Sequence, residues 1–263
     1  MPYENVQIER RDHIATLTMN RPDALNALNR ELTRDLHHAL DELAGEFPET
    51  RVIILTGTGR GFCSGADVRN QAAALSPGDG EPPAYDPFVS IPPLAPKLQA
   101  MPQPVIAAVN GVAAGAGFSL AMASDIRLAA ESARFSLIFV KRSLVPDTGS
   151  SHSLPAVVGF GTALEMALTG RLYDSAWARE RGIVSYIHPD DRLMDEARAL
   201  AAEIAANPPL AVRSIKKLMH RTDRLAEVLP YEHDANAPSM NSRDRREAVM
   251  SFIEKREAVF EGR

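Results

Sequence analysis

The N-terminal part of the chain shows two hydrophobic periods in succession. Apolar residues take alternate positions in "VQI" and recur through "IATLTM", so we predict two strands joined at "RRDH". A helical stripe follows, formed by Leu28, Leu32, Leu36, Leu40 and Leu43, and it ends near Gly45. His37 and His38 fall on this helix, and we expect them on its exposed face.

Two wholly apolar segments in the middle of the chain predict buried strands. "RVIILTG" and "PVIAAVNG" are short and rich in small or β-branched residues, as is typical of strands covered on both faces. Helical patterns lie between them, so this part of the chain indicates strand–loop–helix units with parallel strands. The fold class predicted from these patterns is α/β.

The C-terminal part, from about Ala163 onward, is mostly helical in pattern. One amphipathic helix covers "DRLMDEARALAAEIAANPP" and stops at Pro208 and Pro209, and further helices are expected in "PLAVRSIKKLMHR" and "RDRREAVMSFIEKREAVF". Residues 70–93, in contrast, are rich in Pro and Gly and weakly periodic. A segment of this kind is typical of a lid or of a disordered surface insertion, and we favour a mobile flap beside a site.

Composition narrows the possible classes of protein. The 263 residues suit one large domain, or one domain with an appendage, and the net charge of −5 argues against a nucleic-acid binder. A single cysteine, Cys63, excludes an intramolecular disulfide and suits a reducing compartment. The chain lacks the apolar run of a secretory signal or a membrane span, so we expect a cytoplasmic protein without membrane or nucleic-acid partners.

Two loops of similar design carry the candidate chemistry. The strand "VIILTG" precedes "TGRGFCSGAD", and the strand "VIAAVNG" precedes "VAAGAGFSLAMASD"; each loop holds a Gly-Ala pair, Gly65-Ala66 and Gly115-Ala116. Small residues let a ligand approach the backbone, and two N–H groups converging on one oxygen would form an oxyanion hole. Close packing of helix on strand also selects Gly and Ala, but the matched pair favours function. Neither loop has the glycine spacing of a dinucleotide site.

Several motifs in order resemble the crotonase, or enoyl-CoA hydratase/isomerase, family. They are "RPDALNAL", "GFCSGADV", "PVIAAVNGVAAGAGFSLAMASDIRLAAESARF", "LVPDTGSS" and "ALTGRLYDSAWARERGIV", and the match extends to the terminal "FIEKREAVF". The resemblance implies a crotonase-like spiral of ββα units over residues 1–195 and a helical region for oligomerisation over residues 196–263. It also implies acyl-CoA thioester substrates, no cofactor beyond the coenzyme A of the substrate, and a homotrimer or homohexamer.

The same resemblance implies a set of site residues. The two oxyanion N–H groups would belong to Ala66 and Ala116. Lys255 matches a family lysine that reaches a CoA phosphate from a neighbouring subunit, although it suits a solvated helix face almost as well. The remaining positions expected to line the substrate are Ala24, Ser64, Gly65, Asp67, Val68, Gly115, Ser119 and Phe139.

The sequence departs from the hydratases of this family at both catalytic positions. Those enzymes hold water between two glutamates, whose positions here carry Ser119 and Phe139. Asp147 is the remaining carboxylate candidate, because some isomerases and dehalogenases of the family place a catalytic aspartate after this proline. The segments "GVAAGAGFSLAMASDI" and "VKRSLVPDTGSS" look most like the ring-epoxide isomerase of phenylacetate catabolism and its enoyl-CoA isomerase relatives. Asp147 also suits a cap for a helix starting near Ser150, and the two roles are compatible.

Three functions remain open from the sequence. The leading hypothesis is an isomerase that shifts a double bond, or rearranges a ring, of an acyl-CoA with Asp147 as the single acid and base. The second is a hydrolase or lyase of the same fold that uses Asp147 with His152, although no G-x-S-x-G motif is present. The third is an acyl-CoA binder that has lost catalysis. Cys63 fits a small buried filler better than a nucleophile.

Overall fold

The computed structural model describes residues 3–67, 90–207, 209–219 and 243–258. The ten strands are β1 (Val6–Arg11), β2 (Ile14–Met19), β3 (Val52–Gly57), β4 (Gly61–Cys63), β5 (Val105–Val109), β6 (Val112–Ala114), β7 (Ile126–Ala130), β8 (Arg134–Ser136), β9 (Tyr173–Asp174) and β10 (Tyr186–His188). The nine α-helices of the described part are α1 (Arg30–Gly45), α2 (Leu94–Ala100), α3 (Ala116–Ala123), α4 (Ser150–Val158), α5 (Phe160–Thr169), α6 (Ser175–Glu180), α7 (Leu193–Ala205), α8 (Pro209–Met219) and α9 (Arg243–Glu254). Two 3-10 helices cover Pro22–Ala24 and Ile138–Arg142.

A six-stranded sheet forms the centre of the fold, in the order β1-β2-β3-β5-β7-β10. Only β1 and β2 pair antiparallel, and the other neighbours are parallel. Every residue of β3 and β5 is buried, and both strands contact helix α7 and strand β4. The predictions of two N-terminal strands, of two buried strands and of parallel pairing in the middle of the chain are confirmed.

A second, four-stranded sheet of short strands runs in the order β4-β6-β8-β9. Each of its first three strands follows closely on a strand of the large sheet, so the chain advances in units of two strands and a helix, as in β5-β6-α3. The sequence pattern predicted one strand per unit. The second strand escaped detection because three residues, such as those of β6, are too few to show a period.

The small sheet decides where the functional loops meet. Its strands β4, β6 and β8 are parallel neighbours, so their carboxyl ends lie at one edge. The segments that leave this edge are residues 64–67, residues 115–116 and the 3-10 helix Ile138–Arg142. Both Gly-Ala pairs and Phe139 are therefore brought to the same place.

The C-terminal helices pack on both parts of this core. Helix α7 covers strands of the large sheet, and α9 packs against the 3-10 helix Ile138–Arg142. The predicted boundary between residues 195 and 196 falls inside α7, and the use of the C-terminal region for oligomerisation stays a prediction. Within the described residues, no helix combines the length and the apolar character needed to cross a membrane.

The expectation for the paired histidines of α1 is wrong for one of them. His38 is exposed, but His37 is buried, with 2% of its surface exposed. Its Nε2 atom lies 3.0 Å from the carbonyl oxygen of Ser90, which is far away in sequence. The helical stripe could not reveal this second covered face, because a segment distant in sequence covers it.

Candidate active site

The loop that follows β4 is joined along its length to residues 24–28. The Ser64 N–H donates to the carbonyl of Leu25 at 3.0 Å, and the Ser64 hydroxyl donates to that of Ala24 at 3.2 Å. Leu28 then forms a parallel bridge with Ala66: its N–H donates to Gly65 O at 2.8 Å, and its carbonyl accepts from the Asp67 N–H at 3.0 Å. These bonds fix the course of the first Gly-Ala pair.

The second Gly-Ala pair lies directly against the first. A Cβ atom placed on Gly65 would be 2.8 Å from the carbonyl oxygen of Ala114 and 3.6 Å from the nitrogen of Ala116. The backbone of Gly65 is in the left-handed region, with φ +100°, and Gly115 also has a positive φ, +52°. Both glycines are needed because a side chain at either would be strained, and at Gly65 it would also separate the loops.

Two backbone donors are left unused where the loops meet. In a parallel bridge such as Leu28 with Ala66, the neighbouring groups of Gly65 and Asp67 form the hydrogen bonds. Ala116 is the first residue of α3, so its N–H has no partner within the helix. Among the described residues, neither the Ala66 N–H nor the Ala116 N–H donates a hydrogen bond. Such a pair can receive a negatively charged oxygen.

The 3-10 helix Ile138–Arg142 forms a third wall. The Gly115 N–H donates to the carbonyl of Ser136 at 3.0 Å, which ties the second loop to the end of β8. A Cβ atom on Gly115 would lie 3.6 Å from Ile138 Cγ2 and 4.0 Å from Phe139 Cε1. Phe139 is 5% exposed and gives this wall an apolar surface.

Asp147 lies in the turn before α4, which packs against α3. Its Oδ1 atom accepts a hydrogen bond from the Thr148 hydroxyl at 2.9 Å. Its carbonyl oxygen accepts from the N–H and the hydroxyl of Ser150, at 3.1 Å and 2.8 Å. The N-cap residue of α4 is Gly149. The two hydrogen bonds to the Asp147 carbonyl would therefore remain if its side chain were replaced.

Two facing Gly-Ala loops with unused N–H groups, on a ββα framework, can bind the oxygen of a thioester. The sequence profile of the enoyl-CoA hydratase/isomerase family matches residues 9–263. The chain belongs to the enoyl-CoA hydratase/isomerase family. The crotonase-like architecture expected from the motifs is confirmed, and acyl-CoA chemistry follows as the family's substrate class.

Relatives of this chain within the family are named for different reactions. The chain is 38% identical over 256 residues to 1,2-epoxyphenylacetyl-CoA isomerase of Escherichia coli (strain K12), with 95% of each chain covered. It is 36% identical over 259 residues to enoyl-CoA hydratase EchA19 of Mycobacterium tuberculosis (strain ATCC 25618 / H37Rv), covering 97% of this chain and 96% of that protein. The crystal structure of an enoyl-CoA hydratase from Mycobacterium avium subsp. paratuberculosis K-10 superimposes with a TM-score of 0.86 at 31% identity, covering 99% and 100% of the two chains.

Ser119 and Phe139, which the motif resemblance assigns to the glutamate positions of the hydratases, both border the second loop. Ser119 is fully buried one turn into α3, and its hydroxyl donates to the carbonyl of Gly115 at 3.3 Å. Phe139 packs beside the same glycine. Their closeness to the Gly-Ala pair matches the predicted site, but their roles toward a substrate stay predictions.

Asp67 was predicted to line the substrate, but its side chain interacts within the protein. Its carboxylate is buried and pairs with Arg21, whose Nη2 donates to Asp67 Oδ2 at 3.0 Å. Arg21 also donates to the carbonyl of Ala27, so it holds the first loop and the neighbouring segment together. Val68, the next residue predicted to contact substrate, lies outside the described residues, as do residues 70–89 of the predicted flap.

Arg21 and Asn26 are support residues that sequence reasoning missed. Asn26 is fully buried; its Oδ1 accepts from the Arg21 N–H at 2.8 Å, and its Nδ2 donates to the carbonyls of Thr58 and Gly61, at 3.0 Å and 2.7 Å. Leu25 and Asn26 both have positive φ angles, 49° and 55°. The motif "RPDALNAL" could have indicated this turn, because Asn tolerates positive φ angles and its side chain readily bonds nearby backbone groups.

The remaining sequence candidates lie at the edges of the site or outside it. Cys63 is fully buried, and burial raises the pKa of its thiol to about 12, so it is no nucleophile at neutral pH. Within the described part of the chain, the ring of His152 makes no hydrogen bond to Asp147 or Ser119. Lys255 follows α9 and lies beside the 3-10 helix Ile138–Arg142 of its own chain; contact with a neighbouring subunit stays a prediction.

Proposed function

We propose that the protein isomerises a double bond, or a strained ring, of an acyl-CoA through a thioester enolate, with Asp147 as the single acid and base. No cofactor is required beyond the coenzyme A of the substrate. The observation that supports the proposal is the position of Ser119 and Phe139 beside Gly115, next to two N–H groups that can hold the thioester oxygen. The motif resemblance assigns these two residues to the glutamate positions of the hydratases. This combination favours enolate formation over the addition of water.

The proposed reaction needs only one proton carrier. In a β,γ-enoyl-CoA, the Asp147 carboxylate removes a proton from the carbon α to the thioester carbonyl, and the C–H electron pair gives a dienolate with its negative charge on the thioester oxygen. The N–H groups of Ala66 and Ala116 stabilise that charge, each by about 2.7–4 kcal/mol in comparable sites. The protonated Asp147 then delivers the proton to the γ carbon, which re-forms the thioester carbonyl, leaves the double bond between the α and β carbons and restores the carboxylate. Ala24, Ser64, Asp67, Val68 and Lys255 would serve the CoA part of the substrate.

The names of similar proteins support two reactions. The relative that is named an epoxyphenylacetyl-CoA isomerase supports isomerisation, within either phenylacetate or fatty acid metabolism. Hydration is the second candidate, because other relatives are named hydratases. Ser119 argues against it, since a buried hydroxyl bonded to a backbone carbonyl cannot act as a carboxylate base. A hydrolase or lyase using His152, and a binder without activity, complete the set to be tested.

Asp147→Asn is the decisive variant. It keeps the size of the side chain and the backbone bonds of the turn but cannot accept a proton, so we expect the isomerisation rate to fall about 10²–10⁴-fold. Acyl-CoA affinity and thermal stability should change little. The measurements are isomerisation of a β,γ-enoyl-CoA and deuterium exchange from heavy water into the substrate.

A capping aspartate provides the matched control. Asp174 is the N-cap of α6, and its carboxylate accepts from the Trp177 N–H at 2.8 Å. Asp174→Ala should lower stability by up to about 1 kcal/mol, Asp174→Asn should change it little because the amide oxygen can still cap the helix, and both should leave the reaction intact. If Asp147→Asn likewise leaves the isomerisation rate and the deuterium exchange unchanged, Asp147 is a turn residue and the proposal fails.

Product analysis separates the competing reactions. We expect a shifted double bond from a panel of acyl-CoAs, and negligible loss of the conjugated thioester absorbance with crotonyl-CoA. Hydration at or above about 10 per second would instead make the protein a hydratase. Released free acid would support hydrolysis, and no product with tight acyl-CoA binding would support a binder.

We also propose a homotrimer or homohexamer that works in the cytoplasm without membrane or nucleic-acid partners. Phe160, Leu164 and Leu168 form a stripe on α5 with exposed fractions of 74%, 43% and 66%. A stripe this apolar is typical of surfaces between subunits. Light scattering at micromolar concentration tests it, and a stable monomer would contradict the assembly.

A further inference from the structure

The turn that carries Asp147 has an unusual residue at its centre. The Ser150 N–H donates to the Asp147 carbonyl at 3.1 Å, so residues 147–150 form a β-turn. The two central residues, Thr148 and Gly149, both have positive φ angles, 52° and 75°. A turn with two such residues is dominated by Gly, Asn and Asp at these positions. Gly149 follows that preference, and Thr148 does not.

Thr148 is strained in this conformation because its side chain is branched at Cβ. A positive φ brings Cβ close to the backbone carbonyl oxygen, and a β-branched residue in this region is an outlier. Thr148 is also buried, with 1% of its surface exposed. Strained residues persist where the surrounding structure fixes them, and they cluster at functional sites. The turn alone therefore does not account for a threonine at this position.

The hydroxyl of Thr148 accounts for it, because it donates to Asp147 Oδ1 at 2.9 Å. An ionised carboxylate only accepts hydrogen bonds, and bonds to a charged acceptor are roughly twice as strong as those between neutral groups. Ser150 fixes the Asp147 main chain separately, since its N–H and its hydroxyl both donate to the Asp147 carbonyl. The bond from Thr148 acts on the side chain, where it restricts rotation of the carboxyl group.

The Asp147 carboxyl group lies where the packed start of α4 meets a more open segment. Thr148, Gly149 and Ser150 are buried, whereas Asp147 is only half-buried. A half-buried side chain without a fixed partner exchanges between rotamers. Here the donor is inside the protein and the acceptor is at its edge, so the carboxylate can reach a bound molecule in a defined orientation.

We propose that Thr148 is a positioning residue, which holds the Asp147 carboxylate in the orientation needed for proton transfer. This role rests on the proposed function, because it requires Asp147 to carry the proton. A base must lie within hydrogen-bond reach of the proton that it removes, and a misplacement of about 1 Å can cost about a hundredfold in rate. Thr148 acts only through Asp147 and does not contact the reacting atoms.

Two pairs of side chains that differ in the hydroxyl test this role. Thr148→Val keeps the branched shape of the wild type without the donor, and Thr148→Ala differs from Thr148→Ser in the same way. We expect kcat on a β,γ-enoyl-CoA to fall about 10–100-fold in Thr148→Val and Thr148→Ala, and to stay within about threefold of the wild type in Thr148→Ser. The dissociation constant of hexanoyl-CoA, an unreactive thioester, should change less than about twofold in all three.

Thr50 provides a matched control for the loss of a hydroxyl. Its Oγ1 donates to Glu46 Oε2 at 2.7 Å, and 6% of its surface is exposed, so the buried hydroxyl bonds a carboxylate as in Thr148. Thr50 precedes β3, whereas the loops of the site lie beyond the carboxyl end of that strand. Thr50→Val should therefore leave kcat within about twofold of the wild type.

A double-mutant cycle with Asp147→Asn separates positioning from general support of the fold. Because Thr148 acts through Asp147, Thr148→Val should lower the residual rate of Asp147→Asn by less than about twofold. An equal fall in both backgrounds would overturn the role of Thr148, and so would an unchanged kcat in Thr148→Val or a loss in Thr148→Ser as large as in Thr148→Ala. In those cases a slow Asp147→Asn leaves the proposed function standing. A wild-type rate in Asp147→Asn would instead overturn the proposed function, and the role of Thr148 with it.

Discussion

Gly117→Ala is a sharp test of how the fold positions one oxyanion donor. Gly117 follows Ala116 at the start of α3, and a Cβ atom added to it would be 2.1 Å from the carbonyl oxygen of Cys63 in β4. Ordinary contacts begin near 3.4 Å. The start of α3 must therefore move by roughly 1 Å, because neither backbone can give way alone. Ala116, the adjacent residue, moves with it.

A displacement of this size has a predictable cost in rate. Misplacing a catalytic group by about 1 Å can cost about a hundredfold, so we expect kcat for the isomerisation to fall by that order. Overpacking should also lower the free energy of unfolding by about 1–3 kcal/mol. The assays are kcat on a β,γ-enoyl-CoA and the melting temperature of the same preparation.

Two other glycines serve as controls. Gly111→Ala places a Cβ atom 2.1 Å from the carbonyl oxygen of Arg60, the same overlap, but at the opposite end of β6 from Gly115. It should lower stability comparably and keep kcat within about threefold for the folded protein. Gly161→Ala, in open space on α5, should stabilise the protein by about 0.5–1 kcal/mol. Equal losses of kcat in Gly111→Ala and Gly117→Ala would refute the positional argument, and so would full activity in Gly117→Ala.

Three further predictions concern buried ionisable groups. Arg21→Gln leaves the Asp67 carboxylate without this cation and loosens the first loop, so kcat should fall about tenfold with partial rescue in Arg21→Lys; an unchanged kcat contradicts this. Lys216→Met breaks a buried ion pair in which Lys216 Nζ lies 2.9 Å from Asp125 Oδ2, and should lower the urea-derived free energy of unfolding by about 3 kcal/mol. A loss below about 1 kcal/mol would contradict the prediction that this buried pair stabilises the fold. Burial lowers the pKa of His37 from its ordinary 6.5, so as pH drops the imidazole is protonated in the unfolded chain before it is protonated in the folded protein. The free energy of unfolding therefore falls as pH drops through 6.5. His37→Gln should show a shallower decline between pH 7.5 and 5.5 by denaturant titration, and equal slopes would count against the assignment.

The sequence by itself determined the features that depend on near neighbours in the chain. Alternating apolar residues located β1 and β2, and the helical period located α1, α7, α8 and α9, because burial of one face forces a repeat within a few residues. Wholly apolar runs located β3 and β5, which are buried on both faces. Glycine beside alanine after a strand identified both loops, since few residue types permit a backbone approach as close as that of Gly65 to Ala114. The motifs also identified the family before any contact was known.

Contacts between residues far apart in the chain were decided only by the tertiary structure. Arg21 pairs with Asp67, and His37 is covered by the segment at Ser90, because chain crossings bring them together. Lys141 and Lys255 share a pocket although more than a hundred residues separate them. Sequence periodicity carries no signal for such pairs: it reports that a face is buried, and the topology of the strands and helices decides what buries it.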